Sequence, residues 1–117
     1  MAFKFENLEV WKKAIDLSFH VHELTRKFPK EELFILTTQI KRAVDSIALN
    51  IAEGSTGQSN AEFKKFLGYA IRSSAEVISC LYLAKKRSLI NDEQFTSLYS
   101  ETEIIAKMSQ ALRKSIN

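Results

Sequence analysis

Apolar residues recur at steps of three and four along four successive stretches of this chain. At about 100° per residue, such steps return to one side of an α-helix. Val10, Ala14, Leu17, Val21, Leu24 and Phe28 trace the first stripe. Leu33, Leu36, Ile40, Ala43, Ile47 and Ile51 trace the second. Phe63, Leu67, Ala70, Ser74, Val77, Leu81 and Ala84 repeat as a heptad seam. Phe95, Leu98, Thr102, Ile105, Ser109, Leu112 and Ile116 complete the set. The residues between the stripes agree. Pro29 disfavours helical backbone at Phe28 and so separates the first two. Gly54 stands where a left-handed residue would close the second helix, and the segment to Ser59 reads as a loop. Asn7 and Asn91 are placed as N-caps, and Ser59 with Glu62 has the spacing of a capping box. Helices are expected over about 7–27, 30–53, 60–87 and 92–115, the third fraying near 86–88.

Three glycines and one proline in 117 residues leave too little turn chemistry for an all-β chain. Short links force antiparallel neighbours, and the length suits one core. The expected fold is all-α: a single-domain antiparallel up-down-up-down four-helix bundle. One cysteine, Cys80, excludes an intramolecular disulfide and a Cys-rich metal site. His20 and His22 point to different sides of the first helix, and no Glu-x-x-His pair is present to build a bundle metal site. No nucleophile with a base in helical reach stands out, Ser46 included. No enzyme activity, cofactor or metal is expected. No apolar run approaches the ~20 residues that span a bilayer, and no secretory leader is recognisable. The expected setting is the cytoplasm, without a membrane partner.

The first helix is more apolar than a corner helix of a monomer needs. A second stripe, Leu8, Trp11, Ile15, Phe19 and His22, runs outside the core stripe. Ile35 and Leu49, with Phe34 nearby, add apolar residues off the inner side of the second helix. A contiguous apolar surface of this kind marks an interface, so self-association is expected. The competing reading is a broad core with Trp11 tucked under a neighbouring helix.

The second helix also carries a polar stripe: Gln39, Arg42, Ser46, Asn50 and Glu53. Ser73 and Glu76 occupy a similar flank of the third helix, one turn after Tyr69. Groups buried at such a flank must be paired. A structural network joining Arg42 to Glu53 or Glu76, with the amides and hydroxyls filling in, is expected. The third helix, residues 60–88, carries Lys64, Lys65, Arg72, Lys85, Lys86 and Arg87 against Glu62 and Glu76. Its net +4 exceeds the +3 of the whole chain. These six cations are the candidate phosphate contacts, and symmetric copies would multiply their attraction for RNA or DNA. The competing reading is a solvated face. No RNA-recognition motif or aromatic-rich basic stretch is visible.

The run Gln39-Ile-Lys-Arg42-Ala-Val-Asp-Ser46-Ile-Ala-Leu-Asn50-Ile-Ala-Glu-Gly54 resembles the signature of a bacterial family named after proteins encoded in 23S rRNA intervening sequences. Phe5-Glu-Asn-Leu8-Glu-Val-Trp11-Lys-Lys-Ala14, Phe28-Pro29-Lys30-Glu31-Glu32 and Phe63-Lys-Lys-Phe66-Leu67-Gly-Tyr-Ala70 are similar to further family segments. The chain departs at Ile35-Leu36, where Gly-Leu is usual, and at Ile71-Arg72, ahead of Ser73, where a small residue is favoured. The resemblance implies an antiparallel four-helix bundle assembled as a homopentamer, and it supplies no catalytic residues. A related group, the accessory protein of diversity-generating retroelements, is a basic pentameric bundle that binds nucleic acid and a reverse transcriptase. That fold-level analogy favours a nucleic-acid role. The expectation is a non-enzymatic oligomer binding RNA or DNA with little sequence preference. Its rival is an interaction scaffold for an unidentified protein partner.

Overall fold

In the computed structural model, which describes residues 2–117, four α-helices carry the four stripes. They are α1 (Glu9–Thr25), α2 (Thr38–Ser55), α3 (Asn60–Lys86) and α4 (Asp92–Ser115). Each helix packs against the next, and α4 returns to pack on α1, which closes an up-down-up-down bundle. The Cα atoms span 43 × 22 × 21 Å. The long axis matches α3, whose 27 residues at about 1.5 Å each reach roughly 40 Å. Leu17, Val21, Ile40, Ile47, Ile51, Leu67, Val77 and Leu81 are fully buried, together with Ala14, Ala70 and Ala84. Each buried Leu, Ile or Val contributes about 1.5–3 kcal/mol from removing its side chain from water. Two hydroxyls in the seams bond within their own helices: Ser74 donates to the Ala70 carbonyl at 3.0 Å and Thr102 to the Leu98 carbonyl at 2.7 Å.

The helix ends depart from expectation at several points. Asn7 is not an N-cap: it closes a 3-10 turn over Lys4–Asn7, and Leu8 takes the capping position in extended conformation without a side-chain cap. That placement lets Leu8 pack against the core. Thr25 ends α1, two residues short of Lys27. After Pro29, the segment that reads as the start of one long helix divides into a 3-10 turn (Lys30–Glu32), a π turn (Leu33–Thr37) and then α2. The wider π turn shifts the phase of the apolar stripe. Leu36 is buried, but Leu33, expected inside, is 44% exposed.

Gly54 does not adopt a left-handed conformation, and no glycine among the described residues has positive φ. It lies buried in the last turn of α2, where a Cβ would meet Phe66 Cβ at 2.6 Å and Phe63 Cδ1 at 3.1 Å. Its role is close approach of α2 to α3. Ser59 caps α3 by accepting from the Glu62 amide at 3.1 Å, but the reciprocal bond expected of a capping box is not made. A Cβ on Gly57 would strike the Glu62 carboxylate, which lies back over the loop instead. Asn91 forms a full capping box with Gln94.

The end of α3 does not fray. Leu89 N–H donates to the Ala84 carbonyl at 2.9 Å and Ser88 N–H to the Lys85 carbonyl at 3.0 Å, the bond pair of a Schellman motif. Ser88 supplies its left-handed residue, with φ 59°.

Candidate nucleic-acid interface

The six basic residues of α3 fall into two groups. Lys85 and Arg87, at the C-terminal end, are engaged. Lys85 Nζ lies 3.5 Å from Asp92 and 4.6 Å over the Phe95 ring, and Arg87 Nη1 lies 3.0 Å from Glu32 Oε1. These pairs tie the end of α3 to the start of α4 and to the turn before α2. These inter-element contacts set Lys85 and Arg87 apart from the other four candidate phosphate contacts.

Lys64, Lys65, Arg72 and Lys86 are exposed and form no ion pair among the described residues. At 3.6 residues per turn they fall within a sector of about 100° on the outer face of α3. From Lys64 to Lys86 the row runs for about 33 Å. The two carboxylates of α3 lie outside this sector. Glu62 lies over the loop, and Glu76 accepts a hydrogen bond from Gln39 Nε2. The face is therefore a row of four cations with one carboxylate, Glu76, at its edge, one turn from Arg72 and held by Gln39.

The sequence alone did not single out Tyr82, which is 55% exposed on this face, one turn before Lys86. It meets Phe95 edge-on at a centroid distance of 4.9 Å and Tyr99 at 6.4 Å. Only the packing of α3 on α4 groups these rings, so no linear run of aromatics signals them.

The polar stripe forms only in part. Ser46 Oγ and Ser73 Oγ are 2.9 Å apart and half-buried. Asn50 Nδ2 donates to Ser46 Oγ and to the Ser46 carbonyl, each at 2.8 Å. Gln39 and Glu76 pair at an exposed edge. Arg42 and Glu53 are exposed and joined neither to each other nor, for Arg42, to Glu76. Eleven residues of helix separate them by about 16 Å, beyond the reach of an ion pair. Ser46, Ser73 and Asn50 thus fix the register of α2 on α3, and Arg42 faces solvent.

The proposed assembly stripe divides as well. Leu8 and Trp11 pack against the core, and Phe5 covers Trp11 edge-on at 4.9 Å. His22 is held by Asp45, whose Oδ1 accepts from His22 Nε2 at 3.1 Å and from Ser18 Oγ at 2.5 Å. These three side chains thus make contacts within the subunit and are only half-exposed. Ile15 (44%), Phe19 (63%), Ile35 (60%) and Leu49 (67%) remain exposed, joined by Phe34. The Ser18–Asp45 bond sets the antiparallel register of α1 on α2, and Ile15 and Leu49 lie about one turn from it. His20, on another side of α1, donates from Nδ1 to Glu101 Oε1 on α4 at 2.8 Å.

An antiparallel four-helix bundle with exposed cations along one helix face and a partly apolar α1–α2 surface is the class that these observations define. The family model for 23S rRNA-intervening sequence proteins matches residues 6–111, and the chain belongs to that family. The bundle is similar to the crystal structure of a protein of unknown function from the S23 ribosomal protein family of Bacteroides thetaiotaomicron VPI-5482. That comparison has a TM-score of 0.84 at 27% identity, over 90% of this chain and 95% of that one. Among curated proteins, none matches the chain. Among the described residues, no helix is long and apolar enough to cross a membrane.

Proposed function

We propose that this protein is a non-enzymatic, cytoplasmic homo-oligomer that binds single-stranded RNA or DNA with little sequence preference through the outer face of α3. The observation that carries this reading is the row Lys64, Lys65, Arg72 and Lys86, exposed on one helix face and unpaired among the described residues, with Glu76 at its edge held by Gln39. Lysine and arginine contacts to phosphate position a strand without reading its bases. Tyr82, in line with that row, offers a stacking surface for a base, and stacking tolerates any sequence. Self-association through Ile15, Phe19, Ile35 and Leu49 would repeat the row around an oligomer. Five copies is the number that the family resemblance implies.

A mobility-shift titration at about 50 mM salt, where phosphate attraction is strong, tests the reading. The wild type is expected to retain RNA or DNA. Changing Lys64, Lys65, Arg72 and Lys86 together to Glu is expected to abolish retention while leaving the oligomer intact. Lys85→Gln with Arg87→Gln is expected to have a smaller effect. A wild type that shifts neither nucleic acid defeats the reading and leaves the protein scaffold in its place, for which exposed Leu83 and Ile104 are among the apolar contacts.

A further inference from the structure

A cleft of about 380 Å³ opens between the end of α1 and the start of α2. It lies within the size range of small-molecule sites, about 300–1,000 Å³. Three cations, Arg26, Lys30 and Lys41, and three apolar residues, Phe28, Pro29 and Leu33, line it. No carboxylate is among its lining residues. Arg26 has only an exposed contact, 3.7 Å from Glu23 within its own helix, and Lys30 and Lys41 make no ion pair among the described residues. His22, at the margin, is already held by Asp45.

Thr37 also lines the cleft, and its hydroxyl is the unusual element. Thr37 is 6% exposed, and its Oγ1 has no hydrogen-bond partner among the described residues. In an ordinary helix a buried threonine bonds the carbonyl four residues back, as Thr102 does. For Thr37 that carbonyl belongs to Leu33, and Thr38 Oγ1 occupies it across the π turn. The π turn thus frees a buried hydroxyl near three cations, of which Lys30 and Lys41 make no ion pair among the described residues. Such single turns recur at functional sites.

We propose that this cleft binds a phosphate monoester of the mononucleotide class. Arg26, Lys30 and Lys41 would hold the phosphate oxygens by charge-assisted hydrogen bonds, and Thr37 Oγ1, sealed from solvent in the free protein, would donate a further one once its side chain turns into the cleft. Phe28, Pro29 and Leu33 would cover the sugar and base. The inference is independent of strand binding on α3, since the two sets of residues do not overlap.

Titration of the isotopically labelled protein with AMP, followed by NMR, tests it. Saturable shifts centred on the amides of Thr37, Lys41 and Arg26 are expected, with inorganic phosphate competing. Lys30→Gln with Lys41→Gln, the first exposed and the second half-buried, is expected to weaken AMP about tenfold or more. Thr37→Val is expected to weaken it too, without loss of the native spectrum. The α3 reversal at Lys64, Lys65, Arg72 and Lys86 is expected to leave AMP binding unchanged, which separates this inference from the strand-binding reading. Absence of saturable shifts overturns the proposal. So does adenosine binding as tightly as AMP, AMP binding unaffected by excess phosphate, or a double lysine variant that binds as the wild type does.

Discussion

A methyl group at Gly54 would stand 2.6 Å from Phe66 Cβ, too close for either helix to keep its place. Gly54→Ala is therefore expected to destabilise the bundle by about 1–3 kcal/mol, although alanine is the better helix former. Ser88 poses the opposite case, because an L side chain is held at φ 59°. Ser88→Gly relieves that cost and is expected to stabilise by about 0.5–1 kcal/mol after the entropy of the freer unfolded chain is set against it. Thermal or urea unfolding of the two variants checks both signs. Cys80 supplies a third residue-scale test. Burial pushes its thiol up to about 11, and the charge of Glu76 adds to the rise. The thiol is therefore inert when folded, and a disulfide reagent at about pH 8 is expected to label it only after denaturation. The unfolded thiol ionises near its ordinary value of 9.0 and the folded one near 11, so stability falls as pH rises through that interval. Cys80→Ala is expected to flatten that part of the alkaline decline.

Among the elements, α2 does the most to fix register. Its Asp45 accepts from Ser18 and His22 on α1, and its Ser46 meets Ser73 on α3. Ser46→Ala breaks a half-buried bond that Asn50 also shares, and is expected to cost about 1 kcal/mol. Arg42→Met and Glu53→Gln, exposed and unlinked, are expected to stay within about 0.5 kcal/mol of wild type by the same unfolding measurement. The sequence carried the stripes plainly, because an apolar period of three and four sustained over five or six turns suits an α-helix and cannot line one face of a strand. The π turn before α2 was hidden: it inserts a phase shift at Leu33–Thr37 that no residue type announces. Gly54 was misread because a glycine closing a helix and a glycine admitting a neighbour look alike in one dimension. The row on α3 was legible as residues, but not its division. Lys85 and Arg87 are distinguished from Lys64, Lys65, Arg72 and Lys86 by partners on other elements, Asp92 and Glu32.

For the whole molecule, the apolar residues left on the α1–α2 side bear on assembly. Phe19 and Leu49 are each about two-thirds exposed, too much for a core role. With Ile15 and Ile35 they form the surface by which copies are expected to associate. Phe19→Lys with Leu49→Lys is expected to reduce the mass seen by light scattering to that of a monomer while helical content is kept. A wild type that is already monomeric at micromolar concentration would remove the assembly reading.

The most direct test of the strand-binding account is the salt dependence of affinity for a single-stranded oligonucleotide. Each neutralised phosphate contributes a slope of about −0.7 to log K against log salt for single strands. Engagement of Lys64, Lys65, Arg72 and Lys86 predicts a slope of about −2 to −3 for each subunit in contact, collapsing toward zero when all four are reversed to Glu. An affinity indifferent to salt, or a slope that survives the reversal, would contradict it.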